Sequence, residues 1–146
     1  MLKNIDPLLN GELLNVLRTM GHGDDLVLVD RNFPAASVAQ GKPVIRLDGV
    51  NVARAADAIL SVFPLDSFVE KPVTRMAVID GLQNELPPVQ KEFRTCLKAH
   101  DNDSADMGVL ERFEFYEKAK SAFAIVVTGE ARGYGCFILK KGVIFA

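Results

Sequence analysis

Cysteine and histidine are both scarce in this chain, with two of each in 146 residues. Neither Cys96 nor Cys136 has a neighbour at zinc-finger or redox-motif spacing, and His22 and His100 stand far apart. No metal is therefore expected, and in a reducing compartment the cysteines read as free thiols. Basic clusters are missing too: 17 Lys and Arg stand against 19 Asp and Glu, a formal charge of -2. No stretch of them is long enough to follow a phosphate backbone, so nucleic acid is not an expected partner. The longest apolar run, Ala122 to Val127, falls well short of the roughly 20 residues a membrane helix needs. The opening Met1-Leu2-Lys3-Asn4-Ile5-Asp6-Pro7 lacks the apolar core of a signal peptide. These absences together predict a cytoplasmic protein with no membrane partner.

What is present is the balance of an ordinary globular chain: 49% hydrophobic and 25% charged residues. The length suits one domain with a continuous core, so residues 1–146 are read as a single domain. There is no internal repeat and no low-complexity linker.

Asn10 is a suitable cap for a helix reaching about Met20, with Leu13, Leu17 and Met20 on one stripe, Val16 beside it, and Gly21 as the terminator. Leu26-Val27-Leu28-Val29-Asp30 is continuous and branched, as a strand buried on both faces should be. Val44 to Leu47 reads as a second strand, and Asn51 to Val62 as a helix stopped by Pro64. Thr74 to Ile79 reads as a third strand. Pro87-Pro88 opens a helix carrying Val89, Phe93, Cys96 and Leu97 on one face and ending near His100, before a polar loop, Asp101-Asn102-Asp103-Ser104. A further helix is expected over Phe113 to Ala122, then strands over Ala124 to Thr128 and Phe137 to Lys140, joined by a glycine-rich hairpin loop and paired antiparallel. Interleaved strands and helices predict a three-layer α/β/α domain with a mixed, mostly parallel sheet.

His22 is the residue that packing explains least. It lies between two glycines in Met20-Gly21-His22-Gly23-Asp24, a polar turn with no apolar face to fill. Asp30 ends the next strand, where α/β sheets collect ligands, although an Asp there also serves simply to cap a turn. Arg112 and Tyr116 are one helical turn apart and can face one site, and Tyr134 sits between two strands. For each of these an ordinary structural role remains open on local grounds, and His100 reads as a helix-end residue complementing the dipole. Gly129 to Gly135 lacks the Lys-Ser/Thr ending of a phosphate loop and the strand-to-helix setting of a dinucleotide fingerprint, which excludes nucleotide binding.

Taken together, these segments resemble the RbsD/FucU family of sugar mutarotases, and within it the L-fucose branch. The resemblance is carried by Met1-Leu2-Lys3, Met20-Gly21-His22-Gly23-Asp24, Asp30, Asn32-Phe33-Pro34-Ala35, Arg46-Leu47-Asp48-Gly49 and Leu65-Asp66-Ser67. It is strongest in Phe115 to Ala119, Ala122 to Val126, Thr128-Gly129-Glu130 and Leu139 to Gly142, and so covers nearly the whole chain.

The resemblance implies an RbsD-like fold and cofactor-free interconversion of α and β anomers of a monosaccharide, L-fucose before ribose. It implies that His22 is the proton donor, that Asp30 and Arg112 bind sugar, and that Tyr134-Gly135-Cys136 closes the pocket, with Asp66 and Tyr116 also touching sugar in some members. Ring opening needs a proton delivered to the ring oxygen and another taken from the anomeric hydroxyl, so an acid and a base suffice. Histidine suits the acid role because imidazole changes charge near neutral pH. Asp30 is then available to orient the imidazole or bind a hydroxyl, and Tyr134 to assist the second proton. The family usually has Asn where this chain has Cys136, which trades an amide for a weak donor. That exchange leaves room for a non-catalytic sugar-binding or regulatory subunit, or for action on ribose or another sugar. The family also implies a homo-oligomer, from a dimer to a decameric ring.

Overall fold

Asp25–Val29 (β1) forms the centre of the molecule, with Leu26 to Val29 all fully buried. In the computed structural model, which describes residues 2–79, 85–101 and 106–145, β1 belongs to a six-stranded sheet. The other strands are Val44–Leu47 (β2), Val73–Met76 (β3), Gly108–Leu110 (β4), Ala124–Thr128 (β5) and Phe137–Lys140 (β6). Their spatial order is β2-β5-β1-β6-β3-β4. Every pairing is parallel except those of β6, which runs antiparallel to both β1 and β3.

The helices are Gly11–Thr19 (α1), Ala35–Ala39 (α2), Val52–Leu60 (α3), Pro88–His100 (α4) and Arg112–Ser121 (α5). Side-chain caps start three of them. Asn10 and Asn51 accept the backbone N–H of Leu13 and Arg54, each at 2.9 Å, and Glu111 with Glu114 forms a reciprocal capping box. Successive strand residues point to opposite faces. Leu26, Leu28, Val126, Phe137 and Leu139 therefore pack against α1, α3 and α4, whereas Val27, Val29, Ile125, Val127 and Ile138 pack against α2 and α5. The three-layer mixed sheet predicted from the sequence is the architecture observed. No helix among the described residues is long and apolar enough to cross a membrane.

Three expectations need correction. β5 and β6 do not pair; β1 lies between them, so residues 129–136 cross over the end of β1 instead of closing a hairpin. That crossing is tight at Gly129, where any Cβ would run into the Asp48 carbonyl. β3 stops at Met76 rather than Ile79, because its neighbour β4 ends at Leu110, whose carbonyl accepts a last bond from the Ala77 N–H and leaves no partner beyond among the described residues. The helix expected to stop at Pro64 already ends at Leu60, and α2 and β4 were not foreseen at all. Residues 102–104 of the expected polar loop lie outside the described residues.

Candidate active site

β6 runs against its neighbours, so its start lies at the same sheet edge as the ends of the parallel strands. This puts Cys136 beside Asp30. The Asp30 carboxylate is only 4% exposed and takes one hydrogen bond at each oxygen, from the Asn32 N–H at 3.0 Å and from the Cys136 S–H at 3.3 Å. Cys136 is equally buried, and burial, reinforced by the Asp30 charge, pushes its thiol well above the usual range. It is thus a neutral donor to a carboxylate.

Tyr134 enters the same edge in a left-handed conformation, φ 66°, costly for an aromatic residue. Its carbonyl is held by Gln90 on α4, whose Nε2 donates to Tyr134 O at 3.0 Å and to Met76 O at 2.9 Å. The Gln90 Oε1 accepts from the Arg75 guanidinium at 3.2 Å. Gly135 follows because a Cβ there would press on Glu130 and Val89 at 3.1 and 3.2 Å. Tyr116 packs edge-on against Phe33, and burial pushes its phenol up. Arg112 opens α5 and lines a cleft of ≈ 400 Å³ with Arg75, Glu85, Val109 and Glu111. Its Nε is buried and finds no acceptor among the described residues.

A second buried acid, Glu130, braces the crossing loop. Its carboxylate binds the guanidinium and N–H of Arg132, and Arg132 also makes a two-pronged pair with Glu92 on α4 at 2.7 Å. The Arg132 hydrogen bond holds the Glu130 carboxyl down at about 2.

His22 is elsewhere. It precedes β1, whereas Asp30 follows it, and at about 3.3 Å per residue the strand separates them by roughly 17 Å. The His22 Nε2 lies 3.1 Å from Asp66 Oδ1, and the ring packs on Phe68 at 5.4 Å. Asp66 is buried and its pKa is lowered, first by the Phe68 N–H and further by His22. Within one chain, then, Asp66 orients the imidazole, not Asp30. The predicted residues form two groups: Asp30, Arg112, Tyr116, Tyr134, Gly135 and Cys136 at one sheet edge, and His22 with Asp66 at the other. Gln90 and Glu130 were missed, although a lone Gln on the apolar stripe of a helix is a signal that sequence inspection can use.

The arrangement has known counterparts. Residues 3–144 match the RbsD / FucU transport protein family. The chain belongs to that family. The fucose mutarotase of Homo sapiens is 45% identical over 98% of this chain and 94% of the human protein. The crystal structure of a Streptococcus pneumoniae fucose mutarotase in complex with L-fucose superposes with a TM-score of 0.90, at 42% identity, covering 99% of this chain and all (100%) of that one. The family's ribose side is more distant: Bacillus subtilis RbsD, complexed with D-ribose, gives 0.74 at 25% identity over 99% and 100% of the two chains.

Two outcomes follow from this geometry. Glu130 is depressed in the fold, so its contribution to stability is complete above the ordinary carboxylate pKa and is lost as pH falls from about 4.5 toward 2. In Arg132→Met, acid unfolding followed by circular dichroism should begin at higher pH than in the wild type. Cys136→Ala removes the donor to Asp30 and should lower kcat/KM for anomer exchange by roughly 2- to 10-fold, the worth of one modest hydrogen bond, whereas Cys136→Asn, which restores a donor, should retain activity.

Proposed function

We propose that this chain is an L-fucose mutarotase, a cofactor-independent isomerase that interconverts the α and β anomers by opening and reclosing the sugar ring. The observation that carries this reading is near-full-length similarity, above 40% identity, to fucose mutarotases, one of them solved with L-fucose. The polar edge around Asp30 supplies the chemistry. Lower identity and poorer superposition on the ribose-bound relative favour fucose over ribose.

In the forward direction an acid protonates the ring oxygen while a base takes the proton of the anomeric hydroxyl, and the bond between C1 and the ring oxygen breaks. The open-chain aldehyde turns about its bond to C2, and reclosure on the other face returns both protons. We assign the acid to His22 and the base side to Asp30, assisted by the Tyr134 hydroxyl. Arg112, with its unsatisfied Nε, binds sugar oxygens, as do Tyr116 and the Tyr134-Gly135-Cys136 segment. Asp66 acts as a positioning residue for His22.

Because β1 holds His22 and Asp30 apart, the two groups meet only between copies of the chain. Each is bordered by exposed apolar side chains: Phe68 and Phe145 stand 66% and 75% exposed beside His22, and Phe113 and Val109 lie exposed beside Arg112. Unlike patches at opposite edges favour a head-to-tail contact, which closes into a ring when the rotation permits. The protein is thus read as a homo-oligomer whose sites lie at the contacts.

Saturation-transfer NMR on equilibrated L-fucose should show anomer exchange accelerated by the protein. His22→Ala should lower that rate by about a hundredfold to ten-thousandfold, the usual worth of a general acid. Unchanged exchange with the wild-type chain would leave a sugar-binding subunit as the better reading.

A further inference from the structure

Folding assembles a third group of reactive side chains that the sugar chemistry does not use. α3 and α4 pack together over one face of the sheet, and Asp57 of α3 there meets Cys96 and His100 of α4. Cys96 and His100 are four residues apart on one helix and so share a face. Asp57 comes from 43 residues before His100, and its Oδ1 lies 2.8 Å from the His100 Nε2. One ligand-type atom from each residue falls within 4.8 Å of the other two. Around a tetrahedral ion with bonds of about 2.0–2.3 Å, ligand atoms sit roughly 3.3–3.7 Å apart. Small side-chain rotations therefore close the set without moving either helix.

The surroundings suit a cation. The cluster lies in the last turns of α4, whose free carbonyls form the negative end of the helix. The nearby Arg54 makes its direct ion pair with Asp6 at 2.7 Å and acts on Asp57 only through space, so the Asp57 carboxylate keeps its oxygens for His100 and an ion. Asp57 and His100 are exposed and Cys96 is half-buried, so solvent reaches the cluster and can supply a fourth ligand. Against this, burial with the Asp57 charge pushes the Cys96 thiol up to about 11, so an ion must displace its proton to bind.

We propose that Asp57, Cys96 and His100 form a binding site for a zinc-class transition-metal ion, completed by a water in the fourth position. A mixed sulfur, nitrogen and oxygen set is the donor chemistry of Zn²⁺ and its surrogate Co²⁺, not of Mg²⁺ or Ca²⁺. On binding, the Cys96 S–H bond breaks, a sulfur–metal bond forms, and one proton passes to solvent, with no change of oxidation state. The bound ion ties α3 to α4. This revises the expectation of no metal drawn from the sequence, where no spacing brings Asp57 next to the Cys96–His100 pair.

The test is a Co²⁺ titration of the untagged full-length chain, followed by absorption. The wild type should show a thiolate-to-cobalt charge-transfer band saturating at one ion per chain and abolished by added Zn²⁺. Cys96→Ser should abolish the band, and Asp57→Asn and His100→Ala should each weaken cobalt binding by about tenfold or more, since loss of even an outer-shell partner costs about 10- to 100-fold. Circular dichroism of each metal-free variant verifies that it is folded. Absence of the band in the wild type at millimolar cobalt, or a band of equal intensity in Cys96→Ser, would overturn the proposal.

Discussion

The buried carboxylate of Asp30 is the constraint around which the candidate site is built. A charge at the end of the central strand must be paired by hydrogen bonds or it destabilises the fold. Its two donors come from opposite directions: the Asn32 N–H just after β1 and the Cys136 thiol just before β6. The second is available only because β6 is inserted antiparallel between β1 and β3. The same insertion forces residues 129–136 to cross the end of β1, which delivers Tyr134 to the edge where the parallel strands finish. Gln90 and the Glu92–Arg132–Glu130 chain then hold that crossing from α4. The loop is thus braced by polar contacts to a rigid helix, which favours a pre-organised site.

The opposite end of β1 has its own economy. His22 leans on buried Asp66 and on Phe68, and the Gly23 N–H is pinned by the Lys141 carbonyl just past β6. One strand therefore separates the proposed acid from the proposed base, and its length cannot be shortened without dismantling the core. In the proposed enzyme this separation makes oligomerisation part of catalysis, since a lone chain carries both groups but cannot present them to one sugar. Residues far from the chemistry, such as Phe145 at a contact, would then affect rate through assembly.

Much of the fold was legible because its strands are continuous apolar runs. β5 and β6 lie where branched residues cluster, and α1 and α3 begin at asparagines whose side chains cap them. The five-residue α2 and three-residue β4 are too short for periodicity to register. Strand order was not legible at all, since an antiparallel β6 two places from β5 leaves no local trace. For the site, sequence inspection singled out His22 by its glycines and Asp30, Arg112, Tyr116 and Tyr134 by their places at strand and helix ends, and the family resemblance supplied their roles. The His22–Asp66 pair spans 44 residues and Cys136–Asp30 spans 106, and contacts of that range exist only once the chain is folded.

Mixing two inactive variants tests the central claim most directly. His22→Ala and Asp30→Asn chains, unfolded together and reassembled in equal amounts, should recover about one quarter of wild-type anomer exchange, because in a head-to-tail assembly one contact in four pairs an intact His22 with an intact Asp30. Recovery no greater than the sum of the two variants assembled separately would contradict a site shared between copies.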